Sequence, residues 1–125
     1  MFVINDDNSI YLTRGDIANI DVTAKTEDGE QYTFKVGDVV RFKAFKRRNC
    51  TDVVLVKDVV VEEETTVVTV LLRKDETKFG DFINKPTNYW YEVELNPDTV
   101  PQTIIGYDDD GEKIIRLFPE GGDLK

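Results

Sequence analysis

The chain contains no histidine and a single cysteine, Cys50. A lone cysteine forms no disulfide within the chain, and without a histidine it has no neighbour of the usual kind to activate it as a nucleophile. It is read as a small turn or core residue, which fits synthesis in a reducing compartment. Residues 1–25 contain no apolar run of the length a secretion signal requires and carry several acids, and no stretch approaches the ~20 apolar residues of a membrane-spanning helix. Basic residues are also in short supply: 16 Lys and Arg face 25 Asp and Glu, a net charge of -9. That balance argues against nucleic acid or an anionic membrane as partner, since both demand a positive surface.

What the chain does have is a recurring alternation of apolar and polar residues, interrupted by turn signals every eight to twelve positions. Its 125 residues suffice for one domain, taken here as 1–125 with ends at 1–9 and 119–125 that need not be fixed. Phe2-Val3-Ile4 reads as a short strand or an ordered tail, followed by turn chemistry at Asn5-Asp6-Asp7-Asn8-Ser9. Ala18, Ile20, Val22 and Ala24 alternate with polar residues, and Asp28-Gly29 suits a hairpin that returns along residues 31–34. Val40, Phe42 and Ala44 share one strand face, with Arg41 and Lys43 on the other.

Residues 53–61 and 66–72 are β-branched and nearly continuously apolar. Lys57, Asp58 and Glu62 to Glu64 guard them against edge-to-edge pairing. Only residues 74–79 offer a helical turn, stopped by Gly80. Tyr89, Tyr91, Val93 and Leu95 alternate with Trp90, Glu92 and Glu94 in the clearest strand of the chain. Residues 103–107 and 113–118 are expected to form a last hairpin around Asp108-Asp109-Asp110-Gly111. Together these segments predict an all-β fold, an immunoglobulin-like antiparallel sandwich of seven to nine strands with at most one short helical turn.

Candidate chemistry is sparse. Arg14-Gly15-Asp16 spells an integrin-recognition tripeptide, but it runs directly into a strand. The expectation is that Gly15 makes a bend and that Asp16 bonds nearby backbone amides. Asp108-Asp109-Asp110-Gly111-Glu112 lacks the alternate ligand spacing that calcium favours and reads as a solvated turn. Glu92 and Glu94 read as the wet side of a strand and not as a glycosidase pair. Lys43, Lys46, Arg47 and Arg48 form a small basic patch without an aromatic stacking platform. No catalytic, cofactor or metal residues emerge, and the protein is read as a non-enzyme. Trp90 stands out because strand alternation points it away from the core beside glutamates. Such a ring is either covered by a loop or reserved for a partner.

Three segments together carry a resemblance. They are Leu12-Thr13-Arg14-Gly15-Asp16 before an alternating strand and an Asp-Gly turn, Leu72-Arg73-Lys74-Asp75-Glu76-Thr77 after a β-branched strand, and Tyr89-Trp90-Tyr91-Glu92-Val93-Glu94-Leu95 leading to Phe118-Pro119-Glu120. Over about residues 10–120 their order resembles small β-sandwich proteins of phages and prophages of Gram-positive gut bacteria. It is similar in particular to the N-terminal domain of upper baseplate proteins. The resemblance implies a structural protein of the tail or baseplate, made in the bacterial cytoplasm and carried on the virion. Its partners would be other tail proteins or further copies of itself, and it implies no catalytic residues. Proteins of that type usually continue into a coiled or fibre segment, so ending at Lys125 implies a free-standing version or a small accessory protein. A carbohydrate- or cell-surface-binding module is the alternative, with Trp90, Tyr107 and Tyr11 as its aromatic platform.

Overall fold

The computed structural model describes residues 1–48, 51–109 and 111–120. Cys50 and Asp110 lie outside them. Nine strands are seen among the described residues: β1 (Phe2–Ile4), β2 (Ile10–Thr13), β3 (Ala18–Val22), β4 (Val39–Arg47), β5 (Thr51–Val60), β6 (Val68–Leu72), β7 (Thr87–Leu95), β8 (Gln102–Ile105) and β9 (Ile114–Phe118). The helical turn expected near residue 76 is a single 3-10 turn, Glu76–Lys78.

The strands build a two-layer sandwich. The large sheet runs β1-β2-β9-β7-β4-β5, with β8 also on β7; the small sheet is β3-β6. This division, β9-β7-β4-β5 facing β3-β6, is that of an immunoglobulin-like sandwich. One pair departs from the expected antiparallel pattern, because β2 and β9 are parallel. After β2 the chain leaves the large sheet for β3, so the edge of β9 is left to a strand running in β9's own direction.

Period-two alternation decides what is buried. Ala18, Ile20 and Val22 from β3 and Val68, Val70 and Leu72 from β6 meet Val40, Phe42, Ala44, Tyr89, Tyr91, Val93, Ile115 and Leu117 from the large sheet. Phe42 stacks on Tyr91 with ring centroids 5.3 Å apart. Burial pushes the Tyr91 phenol well above its ordinary pKa, helped by the charge of Asp7. Its hydroxyl donates to the Asn8 carbonyl, tying the turn after β1 to the centre of the sheet.

Two local expectations change. Residues 31–34 form no strand; after the turn at Gly29 they make only the isolated bridges Lys25↔Gln31 and Phe34↔Thr65. The expected last hairpin is absent as well. β8 lies along β7 from Leu95 to Val93, and β9 lies along the same edge from Trp90 to Thr87. The two act as one strand interrupted by an excursion at residues 106–113. The Asp-Gly chemistry does close a small turn, where Asp108 and Gly111 exchange backbone hydrogen bonds, but that turn sits inside the excursion. At the other end of the chain, Phe2–Ile4 is paired with β2 as a strand.

Candidate binding face

The outward side of the large sheet collects the residues that sequence reasoning singled out. On β7, Tyr89, Tyr91, Val93 and Leu95 are buried, whereas Trp90, Glu92 and Glu94 are half-buried on the opposite side. Trp90 is registered against Phe45 on β4 and Ile114 on β9, and Phe45 in turn against Val53 on β5. Ile114, Trp90, Phe45 and Val53 therefore form one apolar row across four strands. Phe45 is only 3% exposed although it stands outside the interior cluster, whereas Val53 at the row's end is 52% exposed. Farther along the β5 edge, Val56 and Val60 are also exposed.

Charged rows lie beside the apolar one. The Arg41 guanidinium donates to both carboxylate oxygens of Asp58, at 2.7 and 3.0 Å, and also reaches Asp98. The Arg41 hydrogen bond holds the Asp58 carboxyl below its usual range. Lys43 pairs with Glu94 at 3.2 Å. Burial raises the pKa of Glu92, and the charge of Glu94 raises it further against a smaller opposing effect of Lys43. The glutamates expected on a freely wet face are thus partly desolvated.

The basic patch is neutralised locally. Lys46 faces Asp81, Arg47 faces Asp52 and Arg48 faces Glu112. Arg47, Arg48, Glu112 and the 84% exposed Tyr107 line a shallow groove where the excursion passes the end of β4. Tyr11 lies farther across the same face, edge-on to Phe118, with the Arg116 guanidinium 5.9 Å above the Phe118 ring.

The other candidates are structural in their surroundings. Arg14-Gly15-Asp16 makes the crossover from the large sheet to the small one. Gly15 has φ +91°, its amide donates to the Thr77 hydroxyl, and Arg14 donates to the Lys78 carbonyl. The turn closes through the Asp16 amide to the Thr13 carbonyl. The Asp16 carboxylate meets the Met1 amino group and not the nearby amides that the sequence suggested. Among the described residues, no group of three or more Cys, Asp or Glu could hold a metal ion. In the excursion, the Asp108 carboxylate accepts from the buried Lys113 ammonium at 2.7 Å, so a side-chain cation sits at the acidic turn. Asp110 of that turn lies outside the described residues.

Sequence reasoning set Phe45 on the strand face opposite Phe42 but did not join it to Trp90. Its only signal was its phase: it follows the inward Ala44 and so points outward, as an aromatic should not do on a freely solvated strand. One cleft was missed altogether. It opens between the chain after β3 and β8, lined by Ala24, Tyr32, Leu95, Ile104 and Ile105 with polar residues around them. No protein-family model, curated protein or solved structure matches this chain.

Proposed function

We propose that this protein is a structural docking component of a phage or prophage tail or baseplate, acting through protein–protein contacts on the outward face of its large sheet. The observation that carries the reading is the apolar row of Ile114, Trp90, Phe45 and Val53 on the outward face of the large sheet, half-buried at Trp90 and open at Val53. Aromatic anchors beside a polar rim are the usual composition of a contact surface. The tail or baseplate assignment rests on the sequence resemblance.

The test is antibody labelling of particles induced from the host, viewed by electron microscopy. Label at the tail tip supports the reading, and intact particles free of label at any tail position overturn it. Trp90→Ala should weaken capture of tail proteins by the immobilised protein while leaving a folded sandwich.

A second reading, a carbohydrate-binding module, draws on Tyr107, Tyr11 and Trp90. Sugars stack on exposed rings, and Tyr107 has the most exposed ring among the described residues. Glycan-array binding that is lost with Tyr107→Ala and Trp90→Ala would favour it over protein docking.

A further inference from the structure

On β4, next to β7, the outward-face cations Arg41 and Lys43 both have acidic partners. Arg41 is engaged by Asp58 and Asp98, and Lys43 by Glu94. Glu92 stands between Trp90 and Glu94 on β7, half-buried, and no ion pair or hydrogen bond reaches its carboxylate from the described residues. Its register partner on β4 is Lys43, whose ammonium is turned to Glu94. On the other side β8 stops opposite Val93 and β9 starts opposite Trp90, so no strand residue is registered against Glu92 there.

We propose that the partner docking on this face presents a lysine or arginine, flanked by apolar side chains, to Glu92. This rests on the docking reading and names the chemistry of its partner. A docked protein strips the remaining water from Glu92, and a carboxylate so covered is strongly disfavoured unless a cation or a proton arrives with the cover. Arg41 and Lys43, the cations on the adjoining strand β4, are already committed. The flanking row of Trp90 and Phe45, with Val56 across from Lys43, calls for apolar neighbours on either side of the incoming charge. Charge matching of this kind selects the partner and its register more than it adds raw affinity. Glu92 is thus a specificity-determining contact.

Two probes test this by amide chemical-shift titration of the labelled protein at pH 7: a blocked tripeptide with arginine between two valines, and the same peptide with glutamine in place of arginine. The arginine peptide should shift amides at residues 90–94 and 43–45, binding about tenfold more tightly than the glutamine peptide, the worth of one charge-assisted contact. Glu92→Gln should erase that preference, and Glu92→Asp should keep part of it; the amide spectrum of each variant reports its fold directly. Equal binding of both peptides at these residues overturns the cation inference and leaves the docking reading standing. Shifts confined to other parts of the protein, or none at these residues at tens of millimolar of either peptide, overturn the inference and count against the docking face as well.

Discussion

Gly80 joins the 3-10 turn to β7 with φ +74°, and a Cβ placed there would lie 2.3 Å from the Tyr89 hydroxyl oxygen and 2.7–2.8 Å from two ring carbons. Tyr89 has little room to retreat. It is 2% exposed, and its ring meets Phe79 edge-on at 5.1 Å. Gly80→Ala therefore carries two costs. The left-handed backbone disfavours alanine by ~1–2 kcal/mol, and forcing the buried ring aside adds ~1–3 kcal/mol. The sum, about 2–5 kcal/mol, lowers the thermal midpoint of a chain this size by on the order of 10 °C. Circular-dichroism melts and urea unfolding would measure it. Tyr89→Leu removes the hydroxyl and the end of the ring while keeping an apolar side chain. In that background, Gly80→Ala should cost only the backbone share, about 1–2 kcal/mol. An equal penalty in both backgrounds, or a penalty below about 0.5 kcal/mol in the parent, would refute the reasoning that steric contact with Tyr89 fixes this position as glycine.

The remaining predictions concern charge and the apolar row. Burial pushes the Asp38 carboxyl up, but hydrogen bonds from the Lys35 amide, the Tyr32 hydroxyl and Asn96 outweigh it and hold its pKa below the usual value. The stability this contributes is present above the ordinary carboxylate range and is lost as pH falls through the folded value. Asp38→Asn should therefore lower the melting temperature at pH 7 and flatten its decline in acid, which melts from pH 7 to 2 would show. Glu92 has the opposite sign: its raised pKa costs stability above the folded value and nothing once both states are protonated. Glu92→Gln should accordingly raise the melting temperature at pH 7, with the gain fading in acid; an unchanged gain at both ends would reject the assigned cause. Trp90→Ala removes a half-buried ring outside the core and should cost about 1–2 kcal/mol, against about 3–5 kcal/mol for Phe42→Ala inside it, both read by urea unfolding. Replacing Lys57 with Val and Asp58 with Thr removes the charges in the middle of the β5 edge, together with their bonds to Glu76 and Arg41. Sedimentation should then detect self-association absent from the parent, and a monomeric variant would show that these charges do not guard the edge.

Some of the architecture was readable before any coordinates because it follows from side-chain period. Alternation at Ala18, Ile20 and Val22, at Val40, Phe42 and Ala44, and at Tyr89, Tyr91, Val93 and Leu95 assigns strand and buried face together, since a strand places successive side chains on opposite sides. Trp90 was placed outward by the same reasoning. The acidic turn at residues 108–111 misled because turn chemistry reports a local reversal and is silent on which strands lie on either side. Here β7 alone takes both β8 and β9, so the reversal is absorbed in an excursion. The run at residues 53–61 read as a strand whose charges guard it against edge pairing, but its place in the sheet was not legible. It is the last strand, so β5 leaves Val53, Val56 and Val60 exposed.

Periodicity, turn residues and composition alone determined an all-β sandwich with its strands nearly in place, because those properties act over a few neighbouring residues. Pairing order is different: it brings together residues dozens of positions apart, and only the folded chain decides it. That order set β2 parallel to β9, aligned Phe45 with Trp90, and spent Lys43 on Glu94 so that Glu92 was left without a cation.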